Sequence, residues 1–184
     1  PAITIPLRSD FNTTVTPKDA LGYIPINRAV GLIVTAIMQL SLDAYKAGEV
    51  LETKPTLLER PDVETNLPQF LEQTTYCLTG WGNAFWQVFK DNQGRTTGLR
   101  VLDPSRVVID KDSFGFVTGY QYAGKTWTKK DIQHLAIGRL PGTPEGQGPI
   151  QLCQAEIRGM LDLRDYSANW FQDSGVPTGI LKTD

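Results

Sequence analysis

Apolar residues recur every three to four positions in three separate parts of the chain, which is the spacing of a helix that packs on one side. The first helix is predicted to begin at Pro25, because proline suits a first helical turn. Its apolar positions are Ile26, Val30, Ile33, Val34 and Ile37, with Ala29, Leu32 and Ala36 on the other side. Apolar residues on both sides predict a helix that is buried over most of its surface. Alternation from Leu40 to Tyr45 then predicts a strand that ends at Ala47-Gly48.

Local signals mark where the other helices begin and end. The segment 57–62 is predicted to form a short helical turn that is stopped by Pro61. Asn66 with Gln69 three residues later is typical of a capping box, so a second helix is predicted from there to the glycines at 80 and 82. The longest helical pattern opens at Pro149 and runs to about residue 174, roughly 37 Å. Its apolar face holds Ile150, Cys153, Ile157, Met160, Leu161, Ala168 and Phe171.

The middle of the chain has the two-residue period of strands. Segments 84–89 and 99–102 flank a polar turn that contains Gly94, which predicts a hairpin. Further strands are predicted at 107–109, 116–122, 125–127 and 132–137, and their turn-punctuated spacing indicates an antiparallel meander. The predicted fold class is therefore α+β: an antiparallel β meander or sheet flanked by three main helices, including one long C-terminal helix.

Two stretches at the ends of the chain complete the predicted organisation. Residues 1–23 contain three prolines, a glycine and a threonine-rich patch, which predicts an extended N-terminal arm ahead of one α+β domain at 24–184. Residues 176–181 are predicted to be extended. Because the sequence has no initiator methionine and stops directly after an apolar run, we expect it to be a piece of a longer protein.

Composition narrows the function classes. The 184 residues are 40% hydrophobic and 21% charged, as in an ordinary globular domain, and the formal net charge is -2. This balance disfavours a surface that wraps DNA. The longest apolar stretch, residues 29–38, is about half of what a membrane-spanning helix requires. No secretory signal pattern opens the chain, so a cytosolic compartment is expected.

Candidate reaction chemistry is sparse. Cys77 or Cys153 with His134 would supply a thiol nucleophile and a base if the fold brought them within hydrogen-bond reach. Both cysteines fall on apolar helix faces, however, which favours a core role, and His134 is favoured as a structural hydrogen-bonding residue. Asp131 and His134 are three apart in a strand and so should not pair. One histidine and two cysteines disfavour a metal site, and no cofactor is expected.

Three further features have a functional and a structural interpretation. The glycine-rich loop 142–148 precedes a helix, as phosphate-binding loops do, but it lacks Gly-Lys-Ser/Thr and carries Glu145, which favours a plain loop and helix start. The segment Asp103 to Arg106 is predicted to be a turn between strands. Aromatic residues that would stack on bases lack an accompanying basic stripe, so a core or interface role is favoured for Trp81, Phe85, Trp86, Trp127 and Trp170.

The order of several phrases resembles the portal proteins of tailed bacteriophages, in the large subfamily of long-tailed phages and prophages. The resemblance covers about residues 24–181 and depends on the sequence and spacing of the phrases together. They are LSLDAY at 40–45, LLERPD at 57–62, LTGWGNAF at 78–85, LRVLDPSRV at 99–107, DIQHL at 131–135, GQGPI at 146–150 and WFQDSGVPTGIL at 170–181. The loop Pro144 to Pro149 departs from the Gly-x-Ser-Pro that is more usual in the family.

The resemblance implies a structural subunit of the portal ring, usually dodecameric, at one capsid vertex. Such a ring is the conduit for DNA packaging and ejection and the head-tail attachment point. The implied partners are other copies of the chain, the terminase motor, the major capsid protein and a head-tail adaptor. Double-stranded DNA would pass through the channel without tight binding, with no membrane involved. The implied locations are the virion and, during assembly, the host cytoplasm.

By the same resemblance the chain is the wing-bearing N-terminal part of a portal protein, with tunnel and clip segments beyond Asp184, and it has no enzyme activity, catalytic residue, cofactor or metal. Two alternatives remain at this point. One is a cytosolic thiol enzyme that uses Cys153 or Cys77 with His134, and the other is a different head-tail adaptor module.

Overall fold

The computed structural model describes residues 14–46 and 48–172, and these form six α-helices and eight strands. The helices are α1 Pro17–Leu21, α2 Ile24–Met38, α3 Thr56–Glu59, α4 Leu67–Trp81, α5 Pro149–Leu152 and α6 Gln154–Gln172. The strands are β1 Tyr45–Lys46, β2 Glu49–Val50, β3 Asn83–Lys90, β4 Thr96–Leu102, β5 Val108–Lys111, β6 Val117–Tyr122, β7 Lys125–Thr128 and β8 Ile132–Ala136. The predicted α+β class with antiparallel strands and a long C-terminal helix is confirmed.

Helix α4 forms where its capping signals predict it. The Asn66 side chain accepts from the backbone N–H of Gln69 at 3.0 Å, and the Gln69 side chain accepts from the Asn66 N–H at 3.2 Å. Gly82 ends the helix in the left-handed conformation with φ 69°, which glycine adopts without steric cost. The buried face includes threonines, whose hydroxyls donate to carbonyls one turn earlier and so need no other partner.

β1 and β2 pair with each other, and the other six described strands form two three-stranded sheets rather than one meander. β3 is central in the order β4-β3-β8, whereas β5, β6 and β7 form a separate sheet in chain order. The predicted meander is therefore wrong at its end, because β8 leaves β7 and pairs with β3, placing His134 opposite Phe85. This pairing buries Ile132 in an apolar cluster to which both sheets contribute. The other buried members of the cluster are Phe85, Leu102 and Tyr120. β7 and β8 thus belong to different sheets although they follow each other along the chain, and side chains from both sheets form one common core.

Helix α2 is buried on one side only, which corrects the prediction of a helix buried over most of its surface. Val30 and Val34 are in the core, whereas Ile24 and Ile33 are exposed and Leu32 keeps 58% of its surface accessible. The predicted strand at 40–45 is also wrong: only Tyr45 belongs to a strand, the two-residue β1. The Leu51 N–H donates to Ala44 O at 2.8 Å, but within the described residues no strand ladder includes residues 40–44.

The two ends of the described chain also differ from their predictions. The single long helix is broken at Cys153, where φ -104° and ψ 23° interrupt the helix between α5 and α6. The predicted extended arm is wrong for residues 14–23, because Thr16 caps α1 by accepting from Asp19 N–H at 3.2 Å. Val15 and Ala20 are buried in the core of the helical layer. Residues 1–13 and the stretch predicted as extended at 176–181 lie outside the described residues.

Two apolar cores follow from this arrangement. One lies between the sheets, and the other joins α1, α2, α5 and α6 through Val15, Ala20, Val30, Val34, Ile150, Ile157 and Leu161. Helix α4 lies between the two, since it packs against α2 and α5 and also against β3 and β4. Phe70 and Trp86 connect α4 to β3, with ring centroids 5.0 Å apart, and the Trp86 indole N–H donates to Thr74 Oγ1 at 3.0 Å.

We expect Phe70→Ala to lower the free energy of unfolding by about 3 to 5 kcal/mol, because Phe70 is 3% exposed and its removal leaves a cavity between α4 and β3. Phe114→Ala is the matched control, since Phe114 is 84% exposed and its loss should change stability by less than about 0.5 kcal/mol. Chemical denaturation of both variants measures the difference. Equal stabilities would show that the α4–β3 contact does not hold the two layers together.

Candidate subunit interface

The loop that leads into α5 is held against the turn between α4 and β3. The Asn83 side chain donates to Gly146 O at 3.0 Å and to Trp81 O at 2.7 Å, and its Oδ1 accepts from Gly146 N–H at 2.7 Å. A Cβ at Gly82 would overlap the backbone of residues 147 and 148, and a Cβ at Gly148 would overlap the end of α4. Glycine is therefore required on both sides of the contact, which positions α5 and α6 beside α2.

An apolar groove lies between α2 and the α5–α6 junction. It has a volume of about 340 Å³, and Glu156 is the charged residue among those that line it. Its walls are Ile26, Ala29 and Ile33 on one side and Cys153 and Met160 on the other, above a floor of Val30, Ile150 and Ile157. We call this feature the α2/α6 groove. It is open to solvent, so apolar side chains that a folded core would cover are left accessible.

The second half of α6 carries an exposed aromatic pair. Beyond Leu161 the helix has no buried residue up to Gln172, the last residue described. Tyr166 and Trp170 are 64% and 55% exposed, and their rings stack with centroids 6.3 Å apart and planes inclined by 29°. Leu163 on the same side is also exposed. Exposed apolar surface of this extent is typical of a protein contact site.

A separate apolar patch surrounds the tip of the β5–β6 hairpin. Phe114 and Phe116 are exposed there, beside Leu140 of the loop that precedes α5. The hairpin turn is stabilised by Asp112, whose carboxylate accepts from the N–H groups of Phe114 and Phe116 at 2.9 and 2.8 Å. This turn therefore presents two phenyl rings on an ordered backbone.

Among the residues that the structure describes, the most shielded ion pair joins the segment after α3 to the first sheet. Arg100 on β4 donates to both carboxylate oxygens of Asp62, at 2.8 and 3.0 Å, and the Asp62 side chain is only 8% exposed. The Arg100 guanidinium holds the pKa of the Asp62 carboxyl below its usual range. The two charged groups are hydrogen-bonded to each other, so this pair stabilises the surface of the sheet.

The fold does not place either cysteine in contact with His134 in the part of the chain described. Cys77 is buried in α4, where burial raises the pKa of its thiol to about 12 and keeps it protonated at neutral pH. Cys153 is exposed at the break between α5 and α6, which corrects its predicted place in the core. His134 contacts Asn83, Phe85 and Tyr120, and neither cysteine is among its partners in the part of the chain described.

His134 is a structural residue of the sheet. Asn83 Oδ1 can only accept, so the His134 Nε2, 3.0 Å away, carries a hydrogen and donates to it. The ring stacks on Phe85 with centroids 4.4 Å apart. Burial, reinforced by the positive charge of Arg139, lowers the pKa of His134 to about 4. The Asp131 carboxylate instead accepts from Thr128 Oγ1 at 2.6 Å, so Asp131 and His134 are not a pair, as predicted.

The other two candidate motifs have structural roles. In the loop 142–148, Glu145 forms an ion pair with Lys111, and Gly146 and Gly148 are buried against the end of α4, so their backbone is engaged in packing. Asp103 to Arg106 forms a single 3₁₀ turn in which Asp103 Oδ1 accepts from the Ser105 N–H at 3.0 Å. Both structural interpretations from the sequence are confirmed.

Neither a metal-binding cluster nor a membrane-spanning helix is present among the described residues. Within residues 14–46 and 48–172, no group of three or more histidine, cysteine or acidic side chains is placed to hold a metal ion. No helix in the same ranges is both long and apolar enough to cross a membrane. Sequence reasoning missed the α2/α6 groove, although the apolar residues on both sides of α2 were a signal for it.

Comparisons with known proteins agree with one another. The family model described as "Phage portal protein" matches residues 25–184. The "Probable portal protein" of Streptomyces phage phiC31 is 27% identical over 193 residues, which is 92% of this chain and 41% of that protein. The chain therefore spans less than half the length of that phage protein and about half the length of the solved structures that it matches.

Solved structures with the same fold come from phage-like particles. The neck of an empty GTA particle computed with C6 symmetry contains a chain with a TM-score of 0.74 and 19% identity, covering 89% of this chain and 48% of that one. The HK97 family phage portal protein from Corynebacterium diphtheriae has a TM-score of 0.67 and 15% identity, covering 85% and 50%. At these identities the likeness establishes the fold.

The described residues thus form an α+β fold in which an apolar groove and an aromatic helix face are accessible to solvent and the two cysteines lie apart from His134. With the family model matching most of its length, the chain belongs to the phage portal protein family.

The pKa of His134 generates a prediction for stability. Its folded pKa of about 4 lies below the value of about 6.5 in an unfolded chain, so between these two values the unfolded chain takes up a proton that the folded protein does not. The free energy of unfolding should therefore fall by roughly 1 to 3 kcal/mol as the pH drops from about 6.5 to 4.

Denaturation of the natural protein and of His134→Gln over this range measures the effect. Because glutamine does not titrate, the difference between the two stabilities isolates His134 from the carboxylates. A difference that does not change with pH would contradict burial of a neutral His134.

Proposed function

We propose that the chain is a structural, wing-bearing part of a portal ring at a capsid vertex, where the ring is the conduit for DNA packaging and ejection and the attachment point of the tail. The single observation that carries the proposal is the family match over residues 25–184. The uncovered α2/α6 groove and aromatic pair support it, because a subunit of a closed ring must leave surface available for its neighbours.

Under this proposal the first partner is another copy of the same chain. A related chain belongs to a neck of a native GTA particle computed with C12 symmetry, which supports a ring of twelve. The further partners are the terminase motor, the major capsid protein and a head-tail adaptor. The protein would reside at the vertex of the virion, and in the host cytoplasm during assembly. The wing domain would include residues 14–23, which pack in the helical core, together with the chain that follows them, and the tunnel and clip would lie in the rest of a longer portal protein.

The proposal assigns no catalytic residue to the chain. The separate environments of Cys77, Cys153 and His134 disfavour the thiol enzyme, since a nucleophile and its base must share a hydrogen bond. The family match favours a portal subunit over a different head-tail adaptor. Double-stranded DNA would pass through the ring without tight binding, because every neutralised phosphate would add affinity that opposes sliding.

We expect the chain to show no appreciable affinity for duplex DNA at physiological salt, since its formal net charge is -2 and phosphate binding requires clustered basic residues. Fluorescence anisotropy with a labelled duplex measures this. Lowering the salt concentration is the control for weak electrostatic contact. Micromolar binding at physiological salt would contradict a conduit that releases DNA.

We expect the 184-residue chain to be monomeric or weakly associating in dilute solution, whereas a full-length portal protein that contains it forms a large closed ring. A contact that buries less than about 1,000 Å² is typically weak, and the chain spans only part of its relatives. Light scattering coupled to gel filtration on both proteins decides the matter, with negative-stain imaging to show the central hole. A full-length protein that remains monomeric would overturn the proposed function.

A further inference from the structure

We propose that residues 138–147, which join β8 to α5, form a strap that opens as one unit while both apolar cores stay folded. In this proposal the Asn83 side chain holds the strap closed, and protonation of His134 favours the open form. The inference goes beyond the proposed function, because it concerns a movement within one chain and does not depend on ring formation.

The middle of the strap has few ties to the rest of the protein. Residues 139–143 are exposed, and within the described part of the chain their hydrogen bonds are made with one another. The N–H and the hydroxyl of Thr143 both donate to Leu140 O, at 3.1 and 2.9 Å. A surface segment with so few outward bonds is able to open at a much lower free-energy cost than the whole protein.

The Asn83 amide is the main contact that holds the strap. Its Nδ2 donates to Trp81 O at 2.7 Å and to Gly146 O at 3.0 Å. Its Oδ1 accepts from Gly146 N–H at 2.7 Å and from His134 Nε2 at 3.0 Å. An asparagine amide has two N–H donors and an oxygen with two lone pairs, so all of its hydrogen-bonding capacity is in use. The strap, the end of α4 and β8 are therefore joined at one side chain.

Two further contacts hold the C-terminal part of the strap. The Gln147 N–H donates to Ile137 O at 2.8 Å, which brings the two ends of the strap together. Glu145 forms an ion pair with Lys111 on β5, but both side chains are about 39% exposed. Ion pairs with this degree of exposure contribute little to stability. Closure therefore depends mostly on the buried bonds to Asn83.

The elements on either side of the strap have anchors of their own. Gly148 is buried against the end of α4, and Ile150 lies in the core of the helical layer. At the other end, β8 is paired with β3 and Ile132 is buried between the sheets. Opening of the strap thus leaves α5 and β8 in place.

His134 lies directly beside the strap, because its ring and the Gly146 N–H donate to the same oxygen of Asn83. Its neighbours on β3, Asn83 and Phe85, are uncharged. The charged or titratable groups that face the ring are Arg139 and Glu145 of the strap and Tyr120 of β6.

The closed strap disfavours a proton on His134. Burial lowers the pKa of His134 to about 4, to which the positive charge of Arg139 contributes, whereas Glu145 has the opposite effect. Opening admits water and moves Arg139 away, so the pKa of His134 rises towards its ordinary value of about 6.5. The open form therefore binds the proton more tightly, and a lower pH favours it.

The size of this effect follows from the two pKa values. If opening restores a pKa of about 6.5, the ratio of open to closed strap rises about twentyfold between pH 7 and pH 5. Burial acts to raise the pKa of the Glu145 carboxyl, but its hydrogen bond with Lys111 brings that pKa below the usual range, so Glu145 stays charged in this window. Burial raises the pKa of Tyr120, which stays neutral.

Hydrogen exchange of the full-length protein, resolved to single amides by mass spectrometry with fragmentation, tests the proposal. The Gly146 and Gln147 amides report the strap, whereas Val88, bonded to Asp131 O, and Ile157 in α6 report the two cores. At pH 7 the strap amides should exchange at least about tenfold faster than the core amides. After correction for the intrinsic exchange rate, opening of the strap should increase about twentyfold from pH 7 to pH 5.

Two variants separate the roles of His134 and Asn83. His134→Gln keeps a donor for Asn83 Oδ1 but does not titrate, so the pH dependence of strap opening should fall below about twofold. Asn83→Asp keeps the acceptor and loses both donors, so strap exchange at pH 7 should be at least about tenfold faster while the core amides are unchanged. The matched control is Asn66→Asp, where the side chain acts through its oxygen, and strap exchange should not change.

The outcomes decide each part of the inference. Strap amides that exchange together with the core amides at pH 7 would show that the strap has no opening of its own and would overturn it. A change of less than about threefold between pH 7 and pH 5, or an equal change in His134→Gln, would overturn the role of His134. If Asn83→Asp does not fold, the comparison of the natural protein with His134→Gln still decides. Ring formation, on which the proposed function depends, is a separate measurement that none of these results alters.

Discussion

The contact between the α4–β3 turn and the loop before α5 determines how the helical layer sits on the sheets. At Gly82, Gly146 and Gly148 the two backbones approach so closely that a side chain on either would overlap the other. The Asn83 side-chain amide adds two hydrogen bonds to Gly146, across 63 residues of sequence, and is itself held by bonds to Trp81 O and His134 Nε2. Because α5 and α6 continue directly from this loop, their position beside α2, and with it the α2/α6 groove, depends on this junction.

The division between buried and exposed apolar residues explains how the chain is suited to assembly. A chain of this size has enough apolar residues for two cores, yet α2 and α6 each bury one side only. Leaving Tyr166, Trp170 and the groove accessible to water has a free-energy cost for an isolated molecule. That cost is removed when another protein surface covers them, so the same residues favour association.

The polar residues that a search for chemistry would single out serve the fold. His134 stacks on Phe85 and bonds to Asn83, and the Asp62–Arg100 pair joins the segment after α3 to β4. Cys77 is one small side chain in the buried face of α4, where desolvation keeps its thiol protonated. His134, Asp62 and Arg100 are hydrogen-bonded to neighbours inside the fold, and Cys77 is shielded from solvent.

Features that depend only on neighbours along the chain could be predicted from the order of the amino acids. The Asn66–Gln69 capping box, the β3–β4 hairpin and the Asp103 turn need only local bonds, and the ordered phrases were sufficient to identify the family. Tertiary structure alone decided the pairing of β8 with β3, the break at Cys153 and which side of α2 is buried. The periodic pattern shows which residues are apolar, but it does not show which other residues pack on them. The α2/α6 groove is made of residues more than a hundred positions apart, so only the folded chain could bring its two walls together.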